Sequence, residues 1–356
     1  MRGSDTVARI GGDEFKIILT DIKSPDEASL VAQKVIDNLR QPIQLKGKTV
    51  TIGASIGIAI YPEDGEEIDQ LIKYADIALY KAKESGRNCY IYFSSDFQTQ
   101  ILEHIEMESD MKKAIALGEF SLNYQPKINL HDDSLSGMES LIRWQHPEKG
   151  LIPPDQFIPF AEETGLIIPL GEWILNTACQ QLRLWSENME QPLNLAINLS
   201  ALQFQQKDFV RTMKKIIDTH GIDPKNLELE ITESMVMADV DKAIVIMKQL
   251  RDLGLKLAID DFGTGYSSLS YLKKFPINTL KIDRSFVRDL TIDSKDAAMV
   301  KAIISMAKDL DLDVVAEGVE TKEQSDFLRM NGCQYVQGFY FSKPLNVEEF
   351  EAYIEK

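Results

Sequence analysis

Leu255-Lys256-Leu257-Ala258-Ile259-Asp260-Asp261-Phe262-Gly263-Thr264-Gly265-Tyr266-Ser267-Ser268-Leu269 is the stretch on which the reading of this chain turns. An apolar run short enough for one buried strand stops at two adjacent carboxylates, and a glycine-spaced loop follows. Charge at the end of a buried strand is costly unless something uses it. Two carboxylates side by side point to a divalent cation, and the glycines let backbone come close to a ligand.

Outward from that strand, seven further runs have the same character: Phe120 to Gln125, Met138 to Trp144, Asn194 to Leu199, Leu227 to Thr232, Thr279 to Asp283, Val314 to Glu317 and Tyr335 to Gln337. With Lys256 to Asp260 they make eight strands. Helically spaced segments separate most of them, among them Gly171 to Trp185, Asp208 to His220, Val240 to Leu253 and Lys295 to Leu310. Eight strands alternating with helices predict a (β/α)8 TIM-like barrel. Only the turn around His131 to Ser134 lies between the first two, too little for a helical crossover, so that pair should be antiparallel.

Residues two apart share a face of a strand. Leu195 and Ile197 therefore oppose Asn194 and Asn198, Leu229 and Ile231 oppose Glu228 and Glu230, Leu280 and Ile282 oppose Lys281 and Asp283, and Met138 and Ile142 oppose Glu139 and Arg143. The polar face should line the barrel, and polar groups at strand ends belong to its active mouth. Glu139, Glu230, Asp260, Asp261, Asp283, Glu317 and Glu320 are seven carboxylates set against Lys281 and Arg143. Such crowding cannot stay ionised in a partly dry pocket without cations. Oxygen ligands free of cysteine and histidine select magnesium or manganese over zinc. His131 and His146 read as loop residues, and Glu228 and Glu233 as solvated or supporting acids.

The chain of 356 residues is 44% apolar and carries a formal charge of −17, so it is long enough for two domains. That charge argues against a nucleic-acid polymer or an anionic membrane as partner. No apolar run approaches the roughly 18 residues of a spanning helix. No signal-peptide core is present, so a cytoplasmic location is expected. Cys89, Cys179 and Cys333 are odd in number and far apart, against a disulfide framework or a cysteine zinc site.

The first 93 or so residues form a separate α/β unit. Ala8 to Thr20 is two strand-like runs joined by Gly11-Gly12-Asp13-Glu14, Pro25 to Arg40 and Ile68 to Lys83 are helical, and Val50 to Tyr61 and Cys89 to Phe93 are β-rich. Ser95 to Leu117 has Phe97, Ile105, Met111 and Ile115 at mostly helical spacing with Gly118 as a stop. The expected division is 1–93, a connecting helix over 94–118, and a barrel over 119–356.

Gly11-Gly12-Asp13-Glu14-Phe15, Ser55-Ile56-Gly57-Ile58-Ala59 and Ala75-Asp76-Ile77-Ala78-Leu79-Tyr80-Lys81 with Gly86-Arg87-Asn88 resemble the later half of a GGDEF diguanylate cyclase domain. The resemblance implies that a metal-binding strand of that family precedes the present first residue, and that this unit alone makes no cyclic di-GMP. Arg2 to Asp5 fits the family's Arg-x-x-Asp inhibitory site, and Met1 to Ser4 equally fits an expression-tag start. Both readings stand.

From Ile105 onward the chain resembles an EAL-domain cyclic di-GMP phosphodiesterase. Tyr124-Gln125-Pro126, Glu139-Ser140-Leu141-Ile142-Arg143-Trp144, Asn198-Leu199-Ser200, Glu230-Ile231-Thr232-Glu233-Ser234, Asp260-Asp261-Phe262-Gly263-Thr264-Gly265, Lys281-Ile282-Asp283, Glu317-Gly318-Val319-Glu320 and Gln337-Gly338 carry the match in order. The signature alanine is Ser140 here, one small residue for another on the face opposite Glu139. The resemblance implies hydrolysis of cyclic di-GMP to linear pGpG by two-metal activation of water, with two Mg2+ or Mn2+ ions. Glu139, Asn198, Glu230 and Asp260 would hold one ion, and Asp260 would bridge to a second served by Asp261. Lys281 and Glu317 would lie near the attacking water, Asp283 and Glu320 would support the site, Gln337 would polarise from the far side, and Gln125, Arg143 and Asp283 would meet substrate. Phe262 to Leu269 would link the centre to a homodimer interface on the barrel.

Taken singly these signals have plainer readings. Asp260 and Asp261 could cap a helix, and Lys281 could be a salt bridge. The competing function for the whole is a receptor that holds cyclic di-GMP without cutting it.

Overall fold

A computed structural model of the chain describes residues 3–45, 47–188, 193–264, 269–290 and 294–355. The chain divides into two compact units, Met1–Ser109 and Asp110–Lys356.

In the first unit, β1 (Thr6–Gly11) and β2 (Glu14–Ile18) form the antiparallel hairpin that the Gly-Gly-Asp-Glu turn predicts. Arg9 closes the turn, its Nη2 donating to the Gly12 carbonyl at 2.6 Å. Helix α1 (Pro25–Leu39) starts with proline in its first turn and buries Ala28, Ala32 and Ile36. The β-rich stretch around residue 50 resolves into a small hairpin, β3 (Ile43–Leu45) with β4 (Lys48–Val50), and a short β5 (Ile56–Ile58) paired in parallel with β6 (Tyr90–Tyr92). Helix α2 (Ile68–Glu84) lies on β5 at Gly57, where an added Cβ would stand 2.1 Å from the Ala75 carbonyl oxygen. Only glycine permits that approach. Helix α3 (Ser95–Leu117) has the limits predicted and ends at Gly118 with φ +75°.

The second unit is a closed barrel of eight strands with helices around it. Its strands are β7 (Phe120–Asn129), β8 (Leu135–His146), β10 (Leu195–Asn198), β11 (Leu227–Thr232), β12 (Lys256–Phe262), β13 (Thr279–Ile282), β14 (Asp313–Ala316) and β15 (Tyr335–Val336). A short β9 (Gly150–Ile152), which the sequence pattern did not reveal, hairpins onto β8. The ring closes because β8 pairs with both β7 and β10. As expected, β7 runs antiparallel to β8; it is antiparallel to β15 as well, while β8 and β10 to β15 are mutually parallel. The parallel strands therefore all deliver their C-terminal ends to one mouth.

Alternation partitions the strands as predicted. Leu195, Ile197, Leu229, Ile231, Leu280, Ile282 and Val314 are buried apolar side chains. The intervening Lys127, Glu139, Glu228, Glu230, Asp260 and Lys281 are buried polar ones that reach each other across the barrel. Outside the barrel, Tyr124, Trp185 and Phe350 pack ring to ring, with centroids 4.8 and 5.1 Å apart along the series. They hold the Val347–Ile354 helix against β7.

Candidate active site

The functional side chains arrive on the barrel strands or directly after them. Glu139 on β8 receives a hydrogen bond on each carboxylate oxygen: Asn198 Nδ2 donates to Oε1 at 2.6 Å, and Gln337 Nε2 to Oε2 at 2.7 Å. Gln337 Nε2 also donates to Gln125 Oε1 at 3.0 Å, and Gln125 Nε2 donates to the Ser342 carbonyl at 3.1 Å. At the centre is Lys281, fully buried on β13. Its Nζ lies 2.5 Å from Glu230, 2.5 Å from Glu317, 3.1 Å from Asp260 and 3.5 Å from Glu139.

The two adjacent aspartates solve a geometric problem. Simple alternation would send Asp260 and Asp261 to opposite faces. The β12–β13 register slips between Ile259 and Phe262, and Asp261 takes φ +54°. Asparagine and aspartate tolerate that left-handed conformation best after glycine. The irregularity keeps both residues at the mouth: Asp261 N donates to Asp260 Oδ1 at 2.8 Å, and Asp261's carboxyl feels Asp283, Lys281 and Glu139.

Burial dominates the electrostatics. It pushes the carboxyls of Glu139, Asp260 and Asp261 up, and neighbouring carboxylates add to the effect. Burial, with Asp260, Glu139 and Glu230 close by, raises Glu317 to about 8 in spite of Lys281. Glu230 is the exception. Burial would raise it too, yet Lys127 and Lys281 hold it at about 2. Burial opposes the charge on Lys281, but Glu139, Glu230, Glu317 and Asp260 keep it well above the ordinary lysine value.

This donor set fits divalent cations. Carboxylate oxygens of four strand ends converge on the position that one ammonium occupies, and Gln337 Oε1 is a buried oxygen with no hydrogen-bond partner among the described residues. Neither histidine nor cysteine approaches the cluster among these contacts, and the three cysteines are free thiols.

Other expected residues are placed less centrally. Asp283 caps the short helix Arg284–Arg288, its Oδ1 accepting from Ser285 N at 3.0 Å. Arg143 is half-buried; burial lowers its pKa, and Nη1 donates to the Ile142 carbonyl at 2.8 Å. Glu320 is exposed at the rim, outside the hydrogen-bonded cluster, and its backbone N donates to Gln324 Oε1 at 2.7 Å. Of the loop from Phe262 to Leu269, residues 265–268 lie outside the described residues, as does Arg2. Ser140 is buried, and its hydroxyl donates to the Ala196 carbonyl at 3.1 Å, which is how a polar residue fits where alanine was expected.

For Glu233 and Glu228 the structure decides between the two roles the sequence left open, and His146 differs from expectation. Glu233 is not solvated: it is buried, and its Oε2 accepts from Gly263 N at 3.0 Å, tying the start of the helix after β11 to the glycine loop. Glu228 is also buried, bonded to Thr279 and to Lys127. His146 is no loop residue; it ends β8, buried, with Nε2 3.2 Å from Asp110 Oδ2 and Nδ1 accepting from the Glu148 and Lys149 amides. Lys127 was missed altogether. It shares its face of β7 with Gln125, so the period-two rule that found Glu139 would have found it.

The fold and site together define an α/β barrel whose mouth gathers a carboxylate cluster around a buried lysine. The chain belongs to the EAL domain family, whose profile matches residues 108–344; that of the diguanylate cyclase GGDEF domain matches residues 1–89. Among curated relatives, the bifunctional diguanylate cyclase/cyclic di-GMP phosphodiesterase MucR of Pseudomonas aeruginosa is 45% identical over 352 residues, 99% of this chain and 51% of its own length. The cyclic di-GMP phosphodiesterase PdeR of Escherichia coli is 36% identical over 350 residues, 98% of this chain and 52% of its own. The chain thus spans about half the length of the curated relatives it matches. Among solved structures, the PaMucR phosphodiesterase in complex with c-di-GMP is similar over 69% of this chain and 99% of its own, with 46% identity and a TM-score of 0.67. The EAL enzyme Bd1971 in its cAMP- and cyclic-di-GMP-bound form covers 82% of this chain and 77% of its own, with 34% identity and a TM-score of 0.70. No helix among the described residues is long and apolar enough to cross a membrane.

Proposed function

We propose that the barrel hydrolyses cyclic di-GMP to linear pGpG with two divalent cations, Mg2+ or Mn2+. The observation that carries this reading is the convergence of Glu139, Glu230, Asp260 and Glu317 on the Lys281 ammonium inside a barrel mouth. The kinship with named cyclic di-GMP phosphodiesterases supplies the substrate. Glu139, Asn198, Glu230 and Asp260 would hold one cation, and Asp260 with Asp261 would serve the second. Bound there, the cations would lower the pKa of a water and neutralise charge developing on the phosphodiester.

The chain's own groups do the rest. Lys281 and Glu317 form a short ion pair in which a proton can be held or passed at Glu317 Oε1. Gln337 orients Glu139 through its amide nitrogen and keeps its buried oxygen free to accept a proton donor such as the attacking water. Gln125 and Arg143 face substrate, and Asp283 and Glu320 sit at the rim that a ring dinucleotide must cross. Glu233 steadies the Gly263 end of the loop that the reading links to a homodimer.

Incubation of the chain with cyclic di-GMP and Mg2+, then with Ca2+ in place of Mg2+, tests the reading. Linear pGpG should accumulate with Mg2+. Tight binding with unchanged nucleotide would make the barrel a receptor and sink the enzymatic proposal.

A further inference from the structure

Beneath the mouth lies a second polar layer that the proposed chemistry leaves unused. The parallel strands run toward the mouth and β7 runs away from it, so Glu228 and Thr279 lie deeper than Glu230 and Lys281, and Lys127 deeper than Gln125. Lys127, Glu228 and Thr279 are each under a tenth exposed. Lys127 Nζ donates to Glu228 Oε2 at 3.2 Å and to Glu230 Oε1 at 2.8 Å, and Thr279 Oγ1 donates to Glu228 Oε1 at 2.5 Å. Lys281 Nζ donates to Glu230 Oε2 at 2.5 Å. Glu230 is thus gripped from both ends, by Lys127 on the floor side and Lys281 on the mouth side.

An ammonium seated on one oxygen of a carboxylate fixes the plane and rotation of the whole group. With Oε1 committed to the floor, Oε2 is the oxygen left toward Asp260, Glu139 and Glu317. The geometry points to Lys127 as a positioning residue for the cation site: it pins Glu230 so that a single oxygen, Oε2, is offered to a divalent cation. The inference rests on the reading in which Glu230 is a cation ligand.

Two simpler roles make opposite or null forecasts. If Lys127 acted only as a nearby positive charge, it would repel a cation, and its removal would tighten metal binding. If it only neutralised Glu228, its removal together with the charge of Glu228 would change nothing at the mouth. Pinning requires binding to weaken even though a positive charge has been taken away.

The test uses three forms of the chain, wild type, Glu228→Gln, and Glu228→Gln with Lys127→Met, titrated with Mn2+ by calorimetry in the absence of nucleotide. The glutamine amide of Glu228→Gln can accept from Lys127 and donate to Thr279, so this variant should bind Mn2+ within about threefold of wild type. The double variant leaves no unpaired Glu228 charge and should unfold cooperatively, yet bind Mn2+ about tenfold or more weakly than Glu228→Gln, the range seen when a partner that orients a ligand is lost. The Mn2+ concentration for half-maximal turnover should rise in step, more than turnover at saturating metal falls. A double variant that binds as tightly as Glu228→Gln, or tighter, overturns the assignment. So does one that fails to unfold cooperatively, since Lys127 would then be holding the barrel rather than the ligand. A wild type that takes up no Mn2+ fails at the metal reading instead, which separates the two.

Discussion

Glu139 accepts one hydrogen bond on each oxygen and an ion pair from Lys281, so it ties β8 to three other strand ends at the mouth. Glu139→Ala should abolish hydrolysis, as followed by the appearance of linear product; persistent activity would refute its place in the cation site. Glu317 gives a prediction about pH. Its carboxyl is raised from 4.5 to about 8 in the folded chain, so the folded state binds this proton more tightly than the unfolded state. The stability this group contributes is complete below about pH 4.5 and is lost as pH rises through about 8. In the presence of a chelator, the thermal midpoint should fall across that window, and Glu317→Gln should flatten the fall. Added metal should displace the proton, so calorimetry near pH 7 in buffers of different ionisation enthalpy should show proton release in wild type and less in Glu317→Gln. Equal release in both would remove Glu317 from the titration.

At the scale of elements, the site depends on where strands end. Gln337 follows β15 directly and is held by Gly338, where an added Cβ would meet the Val319 carbonyl oxygen at 2.1 Å and its nitrogen at 2.3 Å. Backbone cannot yield as a side-chain tip can. Gly338→Ala should therefore cost about 1–3 kcal/mol by thermal or denaturant unfolding, and should reduce hydrolysis by moving Gln337 off Glu139. Wild-type activity in that variant would show that the Gln337–Glu139 bond is dispensable. The sequence revealed most of this layout because a strand's alternation is local: Glu139, Glu230 and Lys281 could be assigned to the inner face from their immediate neighbours. The bulge at Asp260-Asp261 was not legible in the same way. Its register slip depends on β13, and the sequence of β12 alone does not say that Asp261 leaves the alternation.

For the whole molecule, a cation bound by the folded barrel and not by the unfolded chain stabilises it by mass action, by about 2.7 kcal/mol at a hundred times the dissociation constant. Mn2+ should therefore raise the thermal midpoint of the Asp110–Lys356 unit, and a chelator should reverse the rise. Hydrogen exchange should locate the added protection in the barrel strands and not in Met1–Ser109. Protection gained equally in both units would argue that the cation is not held at the mouth.

By itself the sequence determined the eight strands of the ring, the antiparallel first pair, the face on which Glu139, Glu230 and Lys281 stand and the oxygen-rich character of the site. All of these follow from period-two patterning and from connection lengths, which neighbouring residues encode. Only the tertiary structure decided how the charges pair. Lys127 meets Glu228 across 101 residues of chain, Gln337 meets Glu139 across 198, and Glu233 meets Gly263 across 30. Closing eight strands into a ring sets those distances, and the closure settles Glu228 and Glu233, left open as solvated or supporting acids, as buried, bonded ones. The physical reason is that a side chain's face is fixed by its own strand, whereas its partner is fixed by where the other strands come to rest.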